Sequence, residues 1–400
     1  MKRLFLIIIS TVLILSGCSN SGTSSKNENL TPAIVKTEFS KGVWISYNEI
    51  NSMLKSENGF KAEFDTAVDN LKSLGITDLY FHIRSHCDSV VKSEYFPQTE
   101  SSLNADFDIF QYVTDICHKE NIKVHGWINP YRVTASHSDI TLLPQDSPVT
   151  GWLGDEKPDN DINVIINNGI YLNPACAEVR QLIVNGIKEL IANYQLDGIH
   201  FDDYFYPTTD PDFDRASYDT YKSGATFPLS QDNWRRANVD ALITDSKTAI
   251  SLSGKDIVFS VSPFGGIEKD YNSYYADVEN WCKNSMVDEI IPQLYFGFNH
   301  TDPDFKFENL LACWTKLCKN SKVKLKIGLA PYKIGTSSPS DGDEWLENTD
   351  IISRQTEVCF DEPTVFGVCY FSYDSLFSEV EQNRTERNNL INVLKNRTVK

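Results

Sequence analysis

The chain has 400 residues, which allows two or three ordinary domains of roughly 100–200 residues or one large barrel with insertions. Its 41% hydrophobic and 12% aromatic content excludes a disordered chain and supplies ample material for a core. The balance of 37 basic and 55 acidic residues, 37 − 55 = −18, argues against nucleic acid as a partner, because phosphate binding needs a basic face.

The first element is an address. Lys2 and Arg3 precede an almost wholly apolar stretch from Leu4 to Leu15, and Leu15-Ser16-Gly17-Cys18 follows at once. A basic start, a short apolar run and small residues before a cleavage point describe a secretory signal, too short to span a bilayer comfortably. The cysteine after Leu-Ser-Gly resembles a bacterial lipobox, which implies cleavage before Cys18 and lipid attachment to it. Residues 1–17 are therefore expected to be the signal peptide. Residues 18–37, rich in Ser, Asn, Thr and Lys, are expected to be a flexible tether from the membrane, and 38–397 the folded domain. The expected location is extracytoplasmic, anchored to the membrane through the lipid at Cys18. The other cysteines, Cys87, Cys117, Cys176, Cys282, Cys313, Cys318, Cys359 and Cys369, show no two-residue spacing of metal or redox motifs and read as small buried hydrophobes.

Beyond the tether, short apolar, β-branched runs alternate with segments of helical period. Strands are expected at Gly42–Tyr47, Asp78–Arg84, Ile122–Ile128, Gly198–Asp202, Ile257–Ser262, Glu289–Tyr295, Val323–Leu329 and Val365–Phe371. Helices are expected near Ala62–Leu74, Ile109–Glu120, Ala177–Tyr194, Asn233–Ser251, Tyr274–Asn284, Phe305–Lys319, Glu344–Cys359 and Leu376–Lys395. Continuous apolar strands between helices imply a parallel sheet covered by helices. The count of eight pairs predicts an α/β fold, a single (β/α)8 TIM barrel with long loops after strands 2, 3 and 4. No Gly-x-Gly-x-x-Gly loop follows the first strand, as an open nucleotide-binding sheet would require, and no organic cofactor is implied.

In such barrels the chemistry sits at the C-terminal ends of the strands. The long loops there carry Tyr95, Phe96, Tyr131, Trp152, Tyr171, Tyr204, Phe205 and Tyr206, flat rings that either stack on a sugar or pack the loops onto the barrel. The segment Asp197-Gly198-Ile199-His200-Phe201-Asp202-Asp203-Tyr204-Phe205-Tyr206-Pro207 is the most informative. Alternation sends Ile199 and Phe201 to one face and His200 and Asp202 to the other. Adjacent carboxylates at a strand end are costly unless their pKa values are driven apart, which is what a glycosidase uses for its acid and its base or nucleophile. The competing reading, that they cap loop amides or bind a structural cation, carries less weight.

The 197–207 segment, Trp127-Ile128-Asn129-Pro130-Tyr131-Arg132, Tyr275-Ala276-Asp277 with Trp281, and Ile291-Pro292-Gln293-Leu294-Tyr295 together resemble the glycosyl-hydrolase-like family ten. Its members are bacterial, often lipid-anchored barrels related to α-amylase-type glycosidases. The resemblance runs from about Phe39 to about Leu394. It implies hydrolysis of cell-envelope glycan, including peptidoglycan strands stripped of their stem peptides, and places Asp202 at the fourth-strand nucleophile position. Asp203 is then the leading acid, ahead of Asp88, Asp277 and Glu268. Arg84 and Asp88 are similar to the family's Arg-x-x-x-Asp. With Asn129, Arg132, His200, Tyr204, Asp277, Gln293 and Tyr295 they are candidates for binding substrate or bracing the carboxylates, and a guanidinium at position 132 could hold a carboxylate ionised.

Two departures stand out: Asn173-Pro174 replaces the family's Asp-Pro, and the fifth strand ends Ser262-Pro263-Phe264-Gly265 without a glutamate. That missing carboxylate supports an alternative, a non-catalytic lipid-anchored glycan-binding protein on the same barrel. A chitinase-like reading is disfavoured, since His200 and Tyr204 stand where its Asp and Glu would be. A metal-dependent deacetylase would need a ligand cluster, for which only His82, His86 and His200 offer themselves without a paired motif, so no metal is expected.

Overall fold

In the computed structural model, which describes residues 39–103 and 107–398, eight parallel strands close on themselves. In chain order they are β1 Ser40–Ile45, β2 Asp78–Arg84, β3 Lys123–Ile128, β4 Gly198–Phe201, β5 Val258–Val261, β6 Glu289–Ile290, β7 Lys324–Leu329 and β8 Val365–Phe371. Each pairs with its chain neighbours, and β8 returns to β1 with Gly42 against Cys369 and Trp44 against Phe371. The expected signal peptide, the expected tether and Cys18 lie outside the described residues.

Eight principal helices cover the barrel: α1 Glu57–Ser73, α2 Ile109–Lys119, α3 Ala177–Asn193, α4 Gln231–Leu252, α5 Val278–Asn284, α6 Phe307–Cys318, α7 Ile351–Asp361 and α8 Glu381–Thr398. Their starts follow capping chemistry. Ser56, Asp108, Ser230 and Asp277 each accept a first-turn backbone N–H through a side-chain oxygen. Strand residues that face outward, such as Ile83, Ile199, Phe201 and Val261, are fully buried beneath these helices.

The expected (β/α)8 barrel is present, with two differences in detail. The sixth strand stops at Ile290 because Pro292 has no N–H to give the ladder; beyond it only Gln293 makes bridges, to Phe264 and Gly328. The long third loop is not irregular throughout. It carries an antiparallel three-stranded sheet of Arg132–Thr134, Val164–Ile166 and Ile170–Leu172. The long fourth loop is tied down by Arg235, whose Nη2 lies 2.6 Å from Asp214 Oδ1 and whose Nη1 donates to Tyr275 Oη at 2.8 Å.

The barrel interior is polar at its base. Lys326, 2% exposed, lies 2.7 Å from Glu289 Oε2 and 3.5 Å from Asp78 Oδ1, and donates to Tyr80 Oη at 3.2 Å. Asp78 also accepts from Ser40 and Thr77 and meets His125 Nε2 at 3.0 Å. Burial opposes ionisation of Asp78, yet Lys326, His125 and Thr77 together hold its carboxyl well below the usual range. Glycine at 198 makes room for this layer, since a Cβ there would stand 2.0 Å from His125 Nδ1.

Removing the cation would strand two carboxylates inside the barrel. Lys326→Met is expected to cost about 3–5 kcal/mol of folding stability, read as a shift of the denaturant midpoint. A cost below about 1 kcal/mol would contradict the assignment of Lys326 as the neutralising charge.

Candidate active site

Above the charged base, each further turn of the strands adds a ring of inward side chains. His200 on β4 is fully buried and receives the Trp44 indole N–H on Nε2 at 3.1 Å, while Nδ1 lies 2.8 Å from Ser260 Oγ. An indole N–H can only donate, so Nε2 is the acceptor and the ring proton sits on Nδ1, leaving the imidazole neutral. Burial pushes His200 well below its usual pKa in the same sense. The side chain is thus occupied by the barrel itself. The sequence expectation that His200 contacts substrate is corrected: it braces the layer beneath the site.

One layer higher, the strands open into a cavity of about 380 Å³. Asp202 and Asp203 face into it at the end of β4, together with Trp44, His82, Trp127 and Phe371 from the strands. The His82 ring stacks on Trp127 at 3.5 Å and 10°, which fixes the indole plane. Trp127 Nε1 then points to Asp202 Oδ2 and Asn129 Oδ1, each at 3.2 Å, and the Tyr204 N–H donates to Asp202 Oδ1 at 3.2 Å.

The rim completes the enclosure. Tyr47, Arg132 and Tyr204 come from the loops after β1, β3 and β4, and Gln293, Tyr295 and Tyr332 from those after β6 and β7. The Arg132 guanidinium lies 4.3 Å over the half-exposed Tyr204 ring and donates through Nε and Nη2 to Ser85 O, and Asn129 Nδ2 donates to the same carbonyl. Tyr295 stacks near Phe371 at 5.9 Å and 21°. Arg132 is the one basic side chain among the described lining residues apart from His82, which burial and Arg132 push well below its usual pKa.

Burial raises both carboxyls above the usual range. Repulsion from Asp203 lifts Asp202 further, whereas the Gln293 amide and the charges of Arg132 and Lys269 draw Asp203 down. Like charges this close leave in two steps that belong to the pair, so one proton is held there toward neutral pH.

Several expected residues lie elsewhere. Arg84 follows a register shift between His82 and Arg84 on β2, and its guanidinium packs 3.7 Å over Phe96 and against Gly186 of α3, away from the cavity. Asp277 caps α5 by accepting the Asn280 N–H at 3.0 Å, and Glu268 is exposed, so neither borders the cavity. Asp88 lines a neighbouring cavity instead. Of the eight aromatic residues expected on the loops after the second, third and fourth strands, only Tyr204 lines the site; Phe96, Tyr131, Phe205 and Tyr206 are buried in the core, and Tyr95, Trp152 and Tyr171 pack against it. His82, His86 and His200 form no metal cluster, and none is found among the described residues.

Sequence reasoning missed Trp44, Tyr47 and Phe371 as site residues, because they reach the cavity only when β8 closes on β1. It also passed over Asp270. This carboxyl is fully buried just after β5, accepts the Phe264 N–H at 2.9 Å through Oδ1, and leaves Oδ2 without a hydrogen-bond partner. Burial and the nearby Asp203 raise it well above the usual range. Its only signal was its place two residues beyond Glu268.

Residues 40–347 match the model of the family described as glycosyl hydrolase-like 10. The chain belongs to the glycosyl hydrolase-like 10 family. The chain is also similar to proteins named as glycosyl hydrolases. Glycosyl hydrolase YngK of Bacillus subtilis (strain 168) is 29% identical over 370 residues, covering 84% of this chain and 68% of its own. Glycosyl hydrolase DigH of Escherichia coli (strain K12) is 26% identical over 411 residues and 92% of both chains. The solved glycoside hydrolase domain of PgaB (BpsB) from Bordetella bronchiseptica superposes with a TM-score of 0.61 at 12% identity, over 88% of this chain and 99% of that one. At that identity the likeness attests the barrel. For this glycosyl hydrolase-like 10 protein, membership and fold together support a glycosidase.

The raised carboxyls have a thermodynamic consequence. A folded carboxyl whose pKa stands above its unfolded value keeps a proton that the unfolded chain has already lost. The folded state therefore loses stability as pH rises from about 4 through neutrality. Asp202→Asn removes that loss: its thermal midpoint is expected to exceed that of the wild type by a few degrees at pH 9 and by little at pH 4. An equal midpoint at pH 9 would show that Asp202 ionises there without cost.

Proposed function

We propose that the protein is a glycoside hydrolase acting on cell-envelope glycan, with peptidoglycan strands freed of their stem peptides as substrate. The observation that carries the reading is the adjacent carboxyls of buried Asp202 and half-buried Asp203 in a cavity walled by Trp44, Tyr47, Trp127, Tyr204, Tyr295, Tyr332 and Phe371. Flat rings cover the C–H faces of pyranoses, the polar groups between them answer hydroxyls, and a proton-sharing carboxyl pair is the machinery of glycosidic cleavage. Arg132 supports a muramyl glycan in particular: two of its N–H groups serve Ser85 O, and the remainder can meet the lactyl carboxylate exposed once the peptide is gone.

The pair shares one proton: the carboxyl that holds it acts as general acid on the leaving oxygen, and its ionised neighbour acts as base or nucleophile. The lipid anchor at Cys18 would hold the barrel at the outer face of the membrane, where such strands are within reach.

Soluble protein comprising residues 33–400, incubated with intact and peptide-stripped wall glycan, is expected to release fragments from the stripped strands, read by mass spectrometry. Asp202→Asn and Asp203→Asn should each lower the rate at least about a hundredfold with unchanged circular dichroism. Binding of the strands without any cleavage by the wild type would favour the glycan-binding alternative. The rate should follow a bell whose limbs both lie above the ordinary carboxylate range of about 4, because each limb reports one proton of the raised pair. A single acidic limb near pH 4 would contradict a proton-sharing pair.

A further inference from the structure

Beside the main site lies a second cavity of about 220 Å³, between the loop after β2 and the three-stranded sheet of the third loop. The two are separated by a pair of contacting rings. The Tyr47 ring, on the main cavity, meets the His86 ring, on the second, edge-on at 5.2 Å. The strand Arg132–Thr134 serves both, with Arg132 on one side and Val133 and Thr134 on the other. Arg132 and Asn129 both donate to the carbonyl of Ser85, the residue before His86, so hydrogen bonds from the main-site side hold the partition.

We propose that the glycan site continues over this partition, and that the second cavity is a subsite for one uncharged sugar ring of the same chain. The inference rests on the glycosidase reading of the main site and adds to it the direction the chain takes and the need for more than one bound ring. The cavity's chemistry selects the ring. No lysine or arginine is among its described lining residues, so nothing there would hold a lactyl carboxylate, unlike Arg132 next door. Burial, with Arg132, lowers His86 to about 4, so it meets a ligand as a neutral hydrogen-bonding group near pH 7, and burial raises the Asp88 carboxyl above its usual range. Buried His137 Nδ1 has no hydrogen-bond partner, a position a sugar hydroxyl or acetamide can satisfy. Val133 and half-buried Leu143 supply the apolar contact that a ring face needs. In strands where muramyl and plain N-acetylamino sugars alternate, a carboxylate-bearing ring at Arg132 puts an uncharged ring next to it.

The test uses residues 33–400 and peptide-stripped strands fractionated by chain length, with cleavage and equilibrium binding measured on each fraction. Wild-type kcat/KM is expected to rise about tenfold once chains are long enough to fill both cavities, since remote binding energy is available to the reaction. Leu143→Trp and Gln98→Trp, which fill the second cavity from opposite loops, should abolish that rise and leave the rate on the shortest cleavable chain within twofold of wild type. Either variant suffices if the other fails to fold by circular dichroism. Filled variants that retain the full length dependence, or that slow short and long chains equally, would overturn the subsite. If no fraction is cleaved, the glycosidase reading falls. The subsite then stands or falls on whether length-dependent binding disappears in the filled variants.

Discussion

The structure depends on one buried cation. Lys326 sits inside the barrel with Glu289 at 2.7 Å and Asp78 at 3.5 Å, linking β7 to β6 and, across the interior, to β2. Taking three charges out of water is expensive, so this arrangement survives only because each has a partner and further hydrogen bonds. An apolar layer of equal volume would be no less stable by itself. What the ions add is a single height and rotation for the groups above them, because partners inside a closed ring cannot slide without breaking several contacts together.

That constraint propagates upward through aromatic rings. Asp78 holds His125, which stacks on Tyr80 at 4.5 Å and 19°, and Lys326 also donates to the Tyr80 hydroxyl. Tyr80 meets both Trp44 and His200, and these two are joined by a hydrogen bond. Trp127 and Phe371 lie edge-on over that layer, with Trp127 aimed at Asp202. The Asp202 carboxyl is therefore placed by a column of packed rings together with the Tyr204 N–H of its own loop. Room for so many large side chains inside eight strands comes from glycine at 42 and 198. A Cβ at Gly42 would stand 2.8 Å from Cys369 Sγ and 2.9 Å from Tyr80, closer than real Cβ atoms come.

Strand periodicity made most of this fold legible. All eight strands and their helices were readable, most to within a few residues, because each strand is apolar on its outer face whatever lies inside the barrel; the sixth strand ends five residues early, and the helix expected from Glu344 is split into Glu344–Glu347 and Ile351–Asp361. Asp202 and Asp203 were legible too, since a carboxylate pair at a strand end is locally conspicuous. The rest was not, for separate physical reasons. Arg84 keeps strand alternation in sequence, but a register shift turns it outward onto Phe96. His200 occupies an inward position, and only the three-dimensional partners Trp44 and Ser260 show that both its nitrogens are spoken for. Asp277 belongs to a motif whose carboxylate proves to be a helix cap. Trp44 and Phe371 lie more than three hundred residues apart, so nothing local could have joined them at one cavity.

The same column explains how a chain with a net charge of −18 keeps a proton on its site. Asp202 receives its hydrogen bonds from an indole and a backbone amide, neutral donors that orient a carboxyl with less bias toward ionisation than a cation would impose. The nearby cation, Arg132, gives two of its N–H groups to Ser85 O and lies against Tyr204, so its pull on the pair is shared with other contacts. Had the guanidinium bridged Asp202 directly, the carboxyl would have been driven down into its ionised form. Stacked rings supply position without charge, and that lets burial raise the pair. The cost is borne at the base of the barrel, where Lys326, Asp78 and Glu289 supply the fixed polar framework that a site built from neutral donors and aromatic faces lacks.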